Sequence, residues 1–439
     1  MSTLPNTDEG ARHAPAQRRA EAPADLGVLR FLTCGSVDDG KSTLIGRLLF
    51  DTKALLDDTL ANLARNAQRR GLSALDLSLL TDGLVAEREQ GITIDVAYRY
   101  FATARRKFII ADSPGHVQYT RNMVTAASTA DAAVLLVDAR KGLLPQTRRH
   151  ATIAGLLGVG HLIVAVNKMD QVDYSAQRFD EIVAEFRAWL ERQPALHVQV
   201  DYLPLSALEG ANVVDRDPRL AWHGGPTLIE LLEQAPAHEA DARAPLRLPV
   251  QWVCRPSQSD FRGYAGRIES GSITVGEEII AFPSGRGARV ESLSIGSSAR
   301  QQAIAGESVM VTLTEDIDIS RGDLLASAQD RPPVARSAFE ATVCWLAQEA
   351  LEPRREYLLR QATRETRVRV LATVTRLDVE TLQWQADPAP VGPNDLVRLH
   401  LQTQTPIAGD RYQAFRSIGS FILIDPASNN TVAAGMIQA

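Results

Sequence analysis

The sequence predicts an α/β domain, built as a mostly parallel sheet with helices on both faces, followed by two all-β barrel domains. Three observations carry this. From Val28 to about Gln234, short apolar runs alternate with helical patterns, the rhythm of helices covering a parallel sheet. Beyond a polar stretch at residues 235–245 the strands shorten and turn glycines multiply, at Gly263, Gly266, Gly271, Gly276, Gly285, Gly306 and Gly322; that texture belongs to barrels and sandwiches. A chain of 439 residues is also too long for a single core.

Taken in order, residues 1–26 are rich in Ala, Arg, Glu and Pro and lack an apolar segment, so they read as a disordered tail and not a signal peptide. Residues 28–34 read as a strand and 42–50 as a helix. Residues 53–70 form another helical stretch, whose Leu55, Leu56, Leu60 and Leu63 make a broad apolar face. Residues 96–101 and 107–112 are strands joined by a short basic turn. Continuous apolar runs at 132–138 and 162–166 suit parallel strands buried on both faces. Helical patterns follow at 146–157, 176–192 and 227–234, with a strand at 200–205 between the last two. This first domain spans 27–238 and a linker 239–245. A second break, at Arg331, Pro332 and Pro333, divides a barrel at 246–331 from another at 332–439, where 367–374, 396–401 and 421–424 are candidate strands.

Bulk properties exclude several classes. The net charge is −6, whereas broad affinity for nucleic acid needs a basic face. Cys34, Cys254 and Cys344 are odd in number, scattered and without metal-ligand spacing, so neither a disulfide framework nor a zinc site is expected, and a reducing cytoplasm fits. No apolar run approaches the ~20 residues of a membrane span.

Gly35, Ser36, Val37, Asp38, Asp39, Gly40, Lys41 and Ser42, followed by Thr43, fit the pattern G-x-x-x-x-G-K-[ST] between a strand and a helix. Backbone N–H groups of such a loop point at phosphate oxygens. Gly35 and Gly40 permit close approach, Lys41 places charge between β- and γ-phosphates, and the Ser42 hydroxyl is a ligand for Mg2+. Asp112, Ser113, Pro114 and Gly115 close a second strand. Asp112 is placed to hold Mg2+ through water. The Gly115 N–H is placed to bond a γ-phosphate, and hydrolysis breaks that bond. Asn167, Lys168, Met169 and Asp170 end the 162–166 strand. The Asp170 carboxylate can accept N1–H and the 2-amino group of guanine, roughly 1.5–3 kcal/mol per bond, where adenine offers no donor. Asn167 is expected to brace the base loops and the Lys168 stem to lie over the base. Ser206, Ala207 and Leu208 follow the 200–205 strand, where their backbone could meet the guanine oxygen. Four motifs, each at the C-terminal end of a strand, define a GTP site at the edge of one sheet.

Residues 87–95 resemble the first switch of translation-factor GTPases, with Thr93 at the threonine that senses Mg2+ and γ-phosphate. Asp112 through His116 resemble the second switch, with His116 at the residue that orients the attacking water. Within that superfamily the chain resembles the large, GTP-binding subunits of sulfate adenylyltransferases. The match rests on residues 35–43, with Asp39 where elongation factors usually carry histidine, and on 88–100, 119–123, 137–142, 261–266, 318–323, 419–425 and 434–436. It runs from Leu29 to the C-terminus.

The resemblance implies a two-subunit enzyme. A small subunit binds ATP and sulfate and forms adenylyl sulfate and pyrophosphate; the large subunit hydrolyses GTP in a coupled step. No second phosphate loop is present, so the adenylyl-sulfate kinase fused to some relatives is not expected here. The assignment is Lys41, Thr93 and His116 for catalysis, and Ser42, Thr93 and Asp112 for the metal. Arg88 and Arg121 flank the switches and are read as surface ion pairs, which predicts slow intrinsic turnover accelerated by the partner. Asp38 either binds a monovalent cation, pins the first switch, or is a solvated carboxylate. Ser113 replaces a usual threonine, and Val117 and Val124 fall where relatives vary, in a position to alter partner contacts. Arg354, Arg355, Arg360, Arg364, Arg367 and Arg369 fit RNA binding, partner docking, or a solvated face paired with Glu. The alternative for the whole chain is an elongation-factor-like GTPase delivering aminoacyl-tRNA, against which Asp39, residues 261–266 and the acidic balance argue. A regulatory GTPase without enzymatic coupling is a third reading.

Overall fold

The computed structural model describes residues 26–55, 77, 96–114, 120–193, 196–237, 241–256, 261–378, 381–386 and 389–438. Most of the helical stretch expected at 53–70 lies outside these residues.

Among the described residues six strands make the first sheet: β1 (Val28–Gly35), β2 (Ala97–Ala102), β3 (Lys107–Asp112), β4 (Ala132–Asp138), β5 (His161–Asn167) and β6 (Gln199–Pro204), in the order β2-β3-β1-β4-β5-β6. All pairs are parallel except β2 with β3, a hairpin in which Phe101 lies opposite Phe108. The turn at 103–106 is too short for a parallel crossover, so β2 becomes an antiparallel edge. Every residue of β4 and β5 is buried, which is why both read as unbroken apolar runs.

Helices α1 (Lys41–Asp51), α2 (Thr120–Thr129), α3 (Pro145–Leu156), α4 (Ala176–Leu190) and α5 (Leu228–Gln234) cover both faces. Alternation along β4 sorts its side chains. Val134 and Leu136 pack with Leu44 and Leu48 of α1 and Leu228 and Leu232 of α5. Ala133, Leu135 and Val137 pack with Met123 of α2, Ile153 of α3 and Phe179 and Phe186 of α4. Local chemistry sets the helix starts. Ser175 caps α4 by accepting the Arg178 N–H, and Thr227 with Glu230 forms a reciprocal capping box on α5, each cap worth about 1 kcal/mol.

The next domain closes through one segment. Leu248–Pro249 pairs with Leu324–Ser327, and Trp252–Cys254 pairs with Gly263–Arg267, so the same stretch joins both ends of the strand path. In the last domain Glu356–Gln361, Ser420–Ile424, Thr431–Ile437, Val334–Trp345, Leu396–Gly409 and Arg364–Leu377 form a closed six-stranded ring. Two of these strands run well past the expected 367–374 and 396–401. Their extensions alternate buried and exposed residues or are largely exposed, so hydrophobicity alone stops short of the ends.

The barrels are joined by Arg247, whose side chain is 1% exposed. Its guanidinium bonds both Asp410 oxygens (2.6 and 3.0 Å) and the Arg331 carbonyl (3.0 Å), and lies over the Phe415 ring. The stretch leading into the first barrel is tied down: Ser270 Oγ donates to the Pro245 carbonyl at 2.7 Å, and Arg106 donates to the Ala235 carbonyl. Cys34, Cys254 and Cys344 are free thiols. Among the described residues no helix is long and apolar enough to cross a membrane.

Candidate nucleotide site

The loop between β1 and α1 has a backbone that only certain residues allow. Gly40 has φ +95, and a Cβ there would stand 2.4 Å from Asn167 Nδ2; one at Gly35 would stand 2.8 Å from the Leu136 carbonyl. Both glycines are therefore demanded by space as well as conformation. Asp38 adopts φ 66 without being glycine, a conformation Asp tolerates better than most residues.

Asp38 and Asp39 differ sharply. Asp38 is exposed, and its backbone carbonyl, rather than its carboxylate, is the group that takes the Lys168 ammonium. Asp39 is buried; its Oδ2 accepts the Ser36 N–H at 2.7 Å and holds the loop closed. Burial pushes its carboxyl up, opposed by the Lys41 charge. Lys41 Nζ donates to the carbonyls of Gly35 (3.0 Å) and Ser36 (2.8 Å). Burial pulls this ammonium down, while Asp112 and Asp39 support it. Val37 lies half-buried in the loop, and Thr43 in the first turn of α1.

Pairing of β1 with β3 sets Thr33 beside Asp112. Asp112 Oδ1 accepts from Thr33 Oγ1 at 3.2 Å, and Ser113 Oγ donates to the Thr33 carbonyl at 2.8 Å. The hydroxyl at Ser113 thus serves the strand junction, and Pro114 follows it. Ser42, at the start of α1, and the buried Asp112 offer hard oxygen donors, the set a magnesium ion takes with phosphate and water. Thr93, Gly115 and His116 lie outside the described residues, as do Arg88 and Val117. Val124 is 3% exposed in the core beside β4. It is packed inside the domain, which corrects its expected place at a partner contact.

Adjacent strand ends bring the base loops together. Asn167 Nδ2 donates to the Asp39 carbonyl at 2.7 Å, and its Oδ1 accepts the Ala207 N–H at 2.9 Å. Lys168, at φ 63, reaches Asp138 Oδ2 at 3.0 Å. Burial works against the charge on Asp138, yet Arg140 and Lys168 hold its carboxyl well below the usual range. Met169 is fully buried. Asp170 Oδ1 accepts from Ser206 Oγ at 2.6 Å and Oδ2 from Gln171 Nε2 at 2.7 Å. Arg47, on α1, donates to the carbonyls of Ala207 (3.3 Å) and Leu208 (2.5 Å).

Sequence reasoning missed Arg47, Asp138, Arg140 and His150. His150 Nδ1 accepts the Gly35 N–H at 3.1 Å. Arg47 and His150 lie outside every motif, and Asp138 and Arg140 fall in the 137–142 stretch without a role that the sequence assigns; only the assembled sheet makes the four neighbours of the site. Ser206 was expected to act through its backbone; its hydroxyl also orients Asp170.

The arginines of the last barrel are largely paired. Arg355 meets Glu352 and Asp425, Arg360 meets Glu365, Arg364 meets Asp323, and Arg367 and Arg369 share Glu356. Of the three readings of that cluster, the ion-paired face is the one these contacts describe.

A family model for the elongation factor Tu GTP binding domain matches residues 27–239, and one for a GTP-eEF1A C-terminal domain-like unit matches 338–438. Sulfate adenylyltransferase subunit 1 of Salmonella typhimurium is 49% identical over 413 residues, covering 94% of this chain and 85% of its own. The chain belongs to the sulfate adenylyltransferase subunit 1 family. The counterpart from Aeromonas salmonicida is 48% identical over 93% of this chain and 86% of its own. The bifunctional enzyme CysN/CysC of Mycobacterium tuberculosis is 49% identical over 93% of this chain, which spans 67% of that longer protein. A solved structure of sup35 complexed with GDP aligns over 98% of this chain and 97% of its own, with 25% identity and a TM-score of 0.43. The elongation-factor models match residues 27–239 and 338–438, and the likeness to the sulfate adenylyltransferase subunits covers 93–94% of the chain.

Proposed function

We propose that this chain is the GTP-hydrolysing subunit of a two-subunit sulfate adenylyltransferase. The observation that carries the nucleotide part is the Asn167 side chain, which ties the phosphate loop at Asp39 to the base loop at Ala207. In this reading Asp170, whose Oδ1 accepts from Ser206 Oγ, reads the base while Lys41 serves the phosphates. A carboxylate there selects guanine, since adenine would leave it unpaired.

The residues divide the work as follows. Loop N–H groups from Gly40 to Thr43 bind phosphate oxygens, while those of Gly35 and Ser36 stay on His150 and Asp39, and Lys41 turns its ammonium from the Gly35 and Ser36 carbonyls to the β- and γ-phosphates. Ser42, Asp112 and Thr93 would hold Mg2+, which would supply charge neutralisation for the transferred phosphoryl group. Ser113, Pro114 and Gly115 carry the γ-phosphate contact into the second switch, and His116 orients the attacking water. Positioning and charge supply the catalysis.

The partner in this reading is a small subunit that binds ATP and sulfate and forms adenylyl sulfate and diphosphate in sulfate assimilation. The domain division proposed is 27–238 for GTP, 239–245 for the linker, and 246–331 and 332–439 for the barrels. The test is reconstitution with an ATP-pyrophosphatase-type small subunit. Sulfate-dependent release of diphosphate from ATP should require GTP and fail with its non-hydrolysable analogue. Equal diphosphate release without GTP would overturn the coupling.

A further inference from the structure

Helix α3 touches two distant things at once. On one side, His150 is 3% exposed and its Nδ1 accepts the N–H of Gly35, the first glycine of the phosphate loop. With Nδ1 accepting, the ring proton sits on Nε2, 2.8 Å from Gln146 Nε2, and the pair is satisfied with the Gln146 amide turned to present its oxygen. Burial first, then the charges of Lys41 and Arg149, pull the ring down to about 3, so it is neutral and able to accept. On the other side, Arg149 is buried and feels Cys344 and Asp395 of the last barrel.

The C-terminal end of α3 is held by that barrel directly. The Leu157 carbonyl accepts Tyr412 Oη at 2.8 Å and Arg416 Nη2 at 2.5 Å. Arg416 Nη1 also bonds the Ala130 carbonyl just past α2, at 3.0 Å. Tyr412 is itself 3% exposed and packed in the core shared with α3. From His150 to Leu157 is about 10 Å of helix, at 1.5 Å per residue. A helix transmits an axial shift with little loss, and a 3.1 Å hydrogen bond is broken by a displacement of about half an ångström.

We propose that α3 is a strut through which the C-terminal barrel sets how tightly the phosphate loop holds guanine nucleotide, with Tyr412 and Arg416 as positioning residues that act through His150. The inference rests on the GTP-binding reading above. A movement of the barrel, such as docking of the partner subunit would impose, then reaches the Gly35 amide without touching the nucleotide.

The measurement is the release rate of a fluorescent GDP analogue from the full-length chain. Tyr412→Phe, which keeps the ring, and Arg416→Met should each speed release about three- to tenfold, the effect of losing one or two hydrogen bonds. His150→Gln should speed it at least as much. Combining Tyr412→Phe with His150→Gln should be no faster than His150→Gln alone, because both act on one link. Arg355→Met, which breaks an ion pair on the barrel away from α3, should release GDP as the unmodified chain does. Unchanged or slower release in Tyr412→Phe, additive effects in the double variant, or equal acceleration by Arg355→Met would each overturn the strut. Should Arg416→Met not fold, Tyr412→Phe decides alone. Failure of the unmodified chain to bind GDP would instead overturn the functional reading.

Discussion

The Asn167 side-chain amide donates to the Asp39 backbone carbonyl at 2.7 Å, so the residue that ends β5 holds the floor of the loop between β1 and α1. Its carbonyl takes the Ala207 N–H at 2.9 Å. Asn167→Ala strands both partners in a buried place, at a cost of about 1–3 kcal/mol. GTP and GDP affinity should both fall by about 5–150-fold in calorimetric titration, and affinity within twofold of the parent would contradict the tie.

Gly40→Ala asks for a Cβ 2.4 Å from Asn167 Nδ2 at φ +95. The loop must open or Asn167 must leave, and neither is compatible with a cradle for phosphates. Nucleotide binding should disappear at concentrations that saturate the parent, while circular dichroism shows a folded chain. Retained binding would mean the loop geometry is not what holds phosphate.

Asp170→Asn exchanges an acceptor for an amide that can donate to a 2-oxo group. Preference should move from GTP towards xanthosine triphosphate, read as the ratio of the two affinities. Ser206→Ala, which frees Asp170 Oδ1 from its 2.6 Å bond, should weaken GTP by only about threefold to tenfold. An unchanged base preference in Asp170→Asn would show that this carboxylate does not read guanine.

His150 makes stability depend on pH. Its folded-state pKa is pulled to about 3 by burial, then by Lys41 and Arg149, while the unfolded imidazole titrates near 6.5. As pH falls between these values, the unfolded chain gains a proton that the folded chain refuses. Stability is lost by up to about 1.4 kcal/mol per pH unit. His150→Gln removes that component. The stability gap between parent and variant, from chemical denaturation, should therefore be larger at about pH 7.5 than at about pH 5.5. An equal gap at both would show that the ring is not held neutral.

Arg247→Met leaves Asp410 partly buried without its cation and frees the Arg331 carbonyl. Breaking one side of such a pair costs about 3–5 kcal/mol, or several degrees in the melting of the barrel pair. Arg247→Met with Asp410→Leu should recover much of it. A midpoint unchanged in the single variant would mean the barrels are joined by other contacts.

The sheet is legible in the sequence because β4 and β5 are buried at every position and β5 ends in Asn167, a residue that chemistry recognises. The phosphate loop, Asp112, Asn167 and Asp170 can be placed for the same reason, since strand ends of one sheet converge. What stays hidden depends on partners far apart in sequence. His150 is separated from Gly35 by 115 positions and Arg47 from Ala207 by 160, and nothing in either neighbourhood announces the pairing. Asp38 and Asp39 look alike in sequence; the turn of one residue, with φ 66 at Asp38, sends one outward and buries the other. The barrel strands read too short because residues 364–366 and 402–405, next to the expected runs, are polar, while strand pairing runs on through Arg364 and Gly409.

Ring closure in the barrels also bears on how this chain behaves in a crowded solution. A closed ladder has no free row of backbone donors and acceptors for a stranger to extend. The first sheet is different, because among the described residues β2 and β6 end it on either side, and β2 presents Tyr98 and Tyr100, 42% and 67% exposed. Intermolecular strand addition, and with it the earliest step of aggregation, should begin at β2, where Arg99 is the nearest electrostatic guard.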